Sequence, residues 1–103
     1  MFNYQIIVEY LGTNFVGWQV QKKGLSVQSI IQKTLKKVLK TNIKINGSGR
    51  TDAGVHAKGQ SANFILNKEI KDRYKFLNSV NFFLKKKSIS ITKINKKKIT
   101  FHA

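Results

Sequence analysis

Hydrophobic and polar positions change period several times along the chain. From Phe2 to Tyr10 they alternate, with Phe2, Tyr4, Ile6, Val8 and Tyr10 on one face, which predicts a strand. Glycines at 12, 17 and 24 then punctuate a loop. Ser26 is a suitable helix cap. After it Val27, Ile30, Ile31, Leu35, Val38 and Leu39 recur at steps of three and four, with Gln32, Lys33, Lys36, Lys37 and Lys40 on the other face. That spacing predicts an amphipathic helix. Ile43 and Ile45 mark a short strand, and 46–59 reads as a long loop containing four of the glycines. Ala62, Phe64 and Leu66 alternate against Ser61, Asn63 and Ile65, a third strand. Asn67 is placed to cap a second helix with Ile70, Tyr74, Leu77 and Val80 inward, and Ile89 and Ile91 predict a last strand.

The resulting order, β-α-β-β-α-β, is that of an α+β, ferredoxin-like domain: an antiparallel sheet with helices on one face. At 103 residues the sequence accommodates one domain, 1–103, with a modest core. No internal repeat or low-complexity linker interrupts it.

Composition changes the picture through charge. Twenty Lys and Arg against four acids give a net charge of +16. Such a charge repels itself and favours a polyanionic partner. An apolar content of 41% is enough for a packed globule, so the lysines do not imply disorder. The amphipathic segments read as core helices rather than membrane-surface helices, which points to nucleic acid. Frequent Lys, Ile and Asn are also what an AT-rich genome produces, so part of the charge is read as solvated surface. The start, Met1-Phe2-Asn3-Tyr4-Gln5, has neither the basic nor the apolar region of a secretory signal, and no apolar run reaches membrane-spanning length. The chain contains no cysteine, excluding disulfides and thiolate metal sites within it. The expectation is a cytoplasmic protein.

Candidate chemistry is concentrated in Gly47-Ser48-Gly49-Arg50-Thr51-Asp52-Ala53-Gly54-Val55-His56-Ala57. Ordered loops of this length are often functional. Phosphate-binding templates do not fit: Val55-His56 follows Gly54 where a P-loop needs Lys and Ser or Thr, and Asp52 stands at the third glycine of the dinucleotide fingerprint. What remains is a carboxylate among glycines with an arginine two residues earlier. A strongly positive field favours its ionised form, suited to a nucleophile or base. By residue type alone a turn aspartate is the commoner use of such a position. Likewise Arg50 alone is an ordinary phosphate contact or surface charge, and a lone His56 is more often structural than a ligand.

Four blocks carry a resemblance that changes this balance. Gly49-Arg50-Thr51-Asp52-Ala53-Gly54-Val55-His56-Ala57 is followed by Gly59-Gln60; Tyr10, Gly12-Thr13, Phe15, Gly17-Trp18-Gln19 and Gln21 form a second block; Ser26-Val27-Gln28 a third; Phe101-His102-Ala103 a fourth. In order and approximate spacing they resemble the TruA family of tRNA pseudouridine synthases, over the whole chain. The resemblance implies that Asp52 is the catalytic carboxylate, through which a uridine's glycosidic bond to N1 is broken, the base rotates, and C5 joins the ribose. It implies no metal or cofactor, and a tRNA partner, with uridines 38–40 of the anticodon arm as targets and Arg50 holding a nucleotide extruded from its stem. Thr51, His56 and Lys58, with Gln19 of the second block, complete the expected RNA-binding set. It also implies a second domain of related fold, absent from these 103 residues, and hence a homodimer or a separate second-half polypeptide as partner.

The family pattern is broken at Leu11, where an Asp is usual, and at Asn81-Phe82-Phe83-Leu84-Lys85-Lys86-Lys87, which lacks the usual Pro and Asp. Trp18 is open to two uses, RNA stacking or, more commonly for a lone Trp, core packing. The alternative reading is a non-catalytic basic RNA-binding module or a relic fragment of the enzyme. Lys58-Gly59 begins like an RRM ribonucleoprotein motif, but Gln60 replaces the aromatic residue it needs.

Overall fold

The structure, a computed structural model, describes residues 1–10, 26–47 and 57–102, Ala57 and Lys58 by backbone alone. Its elements run β1 (Phe2–Tyr10), α1 (Val27–Leu39), β2 (Asn46–Gly47), β3 (Ala57–Leu66), α2 (Arg73–Leu84), a 3-10 turn (Lys85–Lys87) and β4 (Ile89–Lys97). The four strands form one sheet in the order β2-β3-β1-β4, with every neighbouring pair antiparallel. This is the α+β plan expected from the alternation of elements.

Strands β1, β3 and β4 put most of their branched and aromatic residues toward the helices. Tyr4, Ile6 and Val8 on β1 lie beside Phe64 and Ala62 on β3 and beside Ile94 and Ile91 on β4, all buried. From the other side Ile31 and Leu35 of α1 and Val80 and Leu84 of α2 close the core, each with no exposed surface. Removing one such side chain from water contributes about 1.5–3 kcal/mol. The core therefore lies between the sheet and its two helices.

Helix α1 starts where the sequence places it. Ser29 N–H donates to Ser26 Oγ at 3.1 Å, satisfying one of the orphan amides of the first turn. It ends as Lys40 turns left-handed at φ 58°, with Lys36 and Lys37 beside the negative end of the helix dipole. Helix α2 starts later than expected: the cap is Asp72, whose Oδ1 accepts from Lys75 N–H at 3.0 Å, rather than Asn67. The reason is tertiary. Ile70 N–H donates to the buried Tyr4 hydroxyl at 2.8 Å, and Glu69 pairs with Lys96, so the approach to the helix is tied to the sheet. The shift also moves Tyr74 outward, 78% exposed, and turns Phe76 inward in its place.

The second strand also sits beyond its expected position. Ile43 and Ile45 are buried, yet β2 is Asn46–Gly47. Ile45 N–H donates to Gln32 Oε1 at 3.1 Å, and Ile45 C=O accepts from Gln28 Nε2 at 2.9 Å. Two helix side chains thus take the backbone groups that a strand neighbour would use.

Candidate functional site

The glycine-rich segment leaves the sheet at Gly47, opposite Ala62, and re-enters at Ala57, opposite Tyr10. Those two positions on β3 are roughly 17 Å apart at ~3.3 Å per strand residue. The entry is short, since β2 pairs with β3 at only Asn46 and Gly47. Gln28 and Gln32, one helical turn apart and joined by a 3.2 Å hydrogen bond, reinforce it by holding Ile45 from α1. Gln32 is therefore half-buried rather than on the fully solvated face expected for it. Glutamines four residues apart on a helix face otherwise filled by lysines were the available sequence signal.

The exit carries a bulge. Val8 faces Gln60 while Glu9 faces Lys58, leaving Gly59 as the extra residue at φ +146°. A side chain there would be strained by the backbone angle, although space exists for it. The bulge pairs the Lys58 backbone with Glu9.

The open face of the sheet, which carries no helix, is polar. Along β1 it presents Asn3, Gln5, Ile7 and Glu9; the cross-strand partners of the first three include Lys97, Asn95 and Lys93. Gln5 Nε2 donates to Ser61 Oγ at 2.9 Å. Asn63 Nδ2 donates to Asn3 Oδ1 at 3.1 Å, with both asparagines buried. Asn3 Nδ2 in turn donates to Lys98 C=O and Phe101 C=O, both at 2.9 Å. The segment after β4 is thereby folded back to the sheet. Phe101, half-buried, has Lys97 Nζ 5.3 Å from its ring centre. Asn3 is a positioning residue that the hydrophobic pattern did not single out.

Asp52, Arg50, Thr51, His56 and Gln19 lie outside the described residues, as do Leu11 and Trp18. Of the expected RNA-binding set only Lys58 has a described backbone, on β3 at the loop's exit. The described part of the site is thus its frame: a bulged strand, a glutamine-held entry, and a polar, basic sheet face. Among the described residues no cluster of three His, Asp or Glu side chains is arranged to hold a metal ion. No helix among them is long and apolar enough to cross a membrane.

The described frame is that of an α+β domain with an open, amide-rich sheet face bordered by lysines. The family profile described as tRNA pseudouridine synthase matches residues 6–103, and the chain belongs to that family. It is 54% identical over 103 residues to the tRNA pseudouridine synthase A of Pelagibacter ubique, covering 100% of this chain and 42% of that protein. The protein of that name from Neorickettsia sennetsu is 44% identical over 100 residues, with 97% and 41% covered. The one from Thermodesulfovibrio yellowstonii is 42% identical over 102 residues, with 99% and 39% covered. The chain spans about two fifths of the length of these curated relatives.

Proposed function

We propose that this chain contributes the catalytic carboxylate to the isomerisation of uridine to pseudouridine in tRNA, with Asp52 as that group. The observation that carries the reading is the family match over residues 6–103, a stretch that includes the whole Gly49–Ala57 block. The net charge of +16 supports a polyanionic substrate. In the proposed reaction the C1′–N1 bond of the target breaks, the base turns, and C1′ bonds to C5. The C5 proton is lost and N1 ends protonated, so the atoms balance without a co-reactant. Targets are uridines 38–40 of the anticodon arm, extruded so that these bonds become accessible. Arg50, Thr51, His56, Lys58 and Gln19 are assigned to RNA contact in this scheme.

The relatives are longer than this chain, so the acting unit is taken to include the remaining segment, in the same polypeptide or a partner, and a second copy. A site walled on one side only would lose the preorganised charge stabilisation that a water-excluded cleft provides.

The test is Asp52→Asn in that acting unit. Loss of a catalytic carboxylate should remove turnover by several orders of magnitude while tRNA affinity stays within a few-fold. Base-modification mapping that finds pseudouridine at wild-type levels in the variant would overturn the assignment.

A further inference from the structure

A second basic surface lies on the helical side of the domain, away from the polar sheet face. Where α1 runs past the end of α2, a groove is floored by Ile30 and Phe83 and rimmed by Lys33, Lys37, Lys86 and Lys87. All four lysines are exposed, and Lys37 Nζ sits 4.4 Å from the centre of the Phe83 ring. That cation–π contact holds one ammonium at the groove rather than letting it swing free. Phe82 packs edge-on against Phe83, with centroids 5.3 Å apart at 84°. Among the described residues none of the four lysines is in an ion pair; the pair formed there is Lys96–Glu69.

None of the described acids, Glu9, Glu69 and Asp72, lines the groove. Glu69 and Asp72 precede α2, whereas Phe83 lies at its far end, about 16 Å away at ~1.5 Å per residue. A separation of this size exceeds the screening length of about 8–10 Å at physiological ionic strength, so the two acids before α2 do little to offset the groove's field. Glu9 is on the open face of the sheet. Four clustered ammonium groups with no ion-pair partner among the described residues cost folding free energy unless an anion is shared among them.

Position decides which anion. The 3-10 turn Lys85–Lys87 leads into β4 at Ile89; Ile89 lies opposite Tyr10, and Tyr10 opposite Ala57, where the candidate loop returns. Two strand spacings of ~4.8 Å put Ile89 roughly 10 Å from Ala57. The groove and the loop's exit thus share one end of the domain. An RNA whose target nucleotide is held at the loop has its adjoining backbone within reach of the groove. We propose that Lys33, Lys37, Lys86 and Lys87 form a phosphodiester-binding groove that grips the tRNA backbone beside the modified nucleotide. This rests on the uridine-isomerisation reading for the identity of the RNA, but concerns a different surface.

The experiment measures tRNA affinity against KCl concentration for the 103-residue chain, for a variant with Lys33→Gln, Lys37→Gln, Lys86→Gln and Lys87→Gln together, and for a control with Lys44→Gln, Lys68→Gln, Lys71→Gln and Lys75→Gln. Each phosphate contact contributes about 0.7–0.9 to the slope of log affinity against log salt. The groove variant should lose about 3 from that slope, and the control, equal in net charge, much less. Circular dichroism checks that both keep their helices. Equal slopes for groove variant and control overturn the groove, as does a wild-type chain that does not bind tRNA. A second arm uses vesicles of equal parts phosphatidylcholine and phosphatidylserine: if the groove lysines are needed there and not for tRNA, the surface belongs to a membrane and the proposal is overturned. The uridine reading fails separately, as absent pseudouridine in the acting unit while the groove-dependent salt slope persists.

Discussion

The two faces of the sheet are buried by different means. Toward the helices, Tyr4, Ile6, Val8, Phe64 and Ile91 are covered by other apolar side chains, and the driving force is removal of that surface from water. On the open face Asn3 and Asn63 are buried to the same degree, but through hydrogen bonds to each other and, from Asn3, to the carbonyls of Lys98 and Phe101. The first kind of burial is non-directional and tolerates reshaping. The second is directional, because a buried amide whose partner is lost keeps its full desolvation cost. A face held in the second way can carry polar groups for a ligand and still be ordered.

The sharpest way to break this contrast uses neighbours on β3. Phe64 is fully buried on the helix side, and Ile65, next in sequence, is 37% exposed on the open side. Phe64→Ala should cost about 3–5 kcal/mol, from lost transfer energy plus the cavity left behind. That is a large share of the ~5–15 kcal/mol typical of a whole domain. Ile65→Ala should cost less than about 1 kcal/mol. Urea denaturation midpoints, compared at unchanged m-value, read both. Similar losses would mean that the open face is packed against something apolar after all.

A smaller effect tests the open face itself. Asn3→Ala removes the acceptor of Asn63 Nδ2 and the donor to two carbonyls, so a loss of about 1–3 kcal/mol is expected. The local consequence discriminates better than the global one. Phe101 N–H, which donates to Lys98 C=O at 3.0 Å, should exchange with solvent faster in the variant, while amides of central β1 slow or quicken only with global stability. Asn3→Asp keeps the acceptor and loses the donor, so it should release Phe101 as well. Unchanged protection at Phe101 in both variants would show that Asn3 does not tether that segment.

How much of this was readable beforehand follows the same division. β1 was legible to the residue, because Phe2, Tyr4, Ile6, Val8 and Tyr10 alternate with mostly polar residues. So was α1, where apolar period, cap residue and terminal lysines agree. The errors fall where a polar side chain or a tertiary hydrogen bond takes a backbone group. Gln28 and Gln32 displaced β2 from Ile43–Ile45, and Tyr4 with Glu69 delayed α2 from Asn67 to Asp72. No local pattern encodes a partner 66 residues away, as Ile70 has in Tyr4. At the site, the residues of the loop were legible only as a motif; their frame, with the Gly59 bulge and the glutamine clamp, needed three dimensions.

The smallest expected effect lies at the rim between the two kinds of face. Lys96, opposite Tyr4 on β4, turns to the helix side and meets Glu69 at 2.9 Å, where both side chains are about half exposed (47% and 45%). The hydrogen bond and charge of Lys96 lower the Glu69 pKa below its ordinary 4.5, and Arg73 and Lys71 add to the shift. Because the folded value is the lower one, the unfolded chain takes up a proton first as pH falls. The pair's contribution is therefore present at neutral pH, and is lost as pH drops below the unfolded value and on through the lower folded one. Glu69→Gln should shift the urea midpoint less than either substitution above, since water and salt screen an exposed pair. The gap between wild type and variant should close as pH falls from neutral past 4.5 and on through the lower folded value, and added KCl should shrink it at neutral pH. A gap that stays constant across that range would assign the effect to Gln packing rather than to the carboxylate charge, and would leave the rim held, like the covered face, by contact alone.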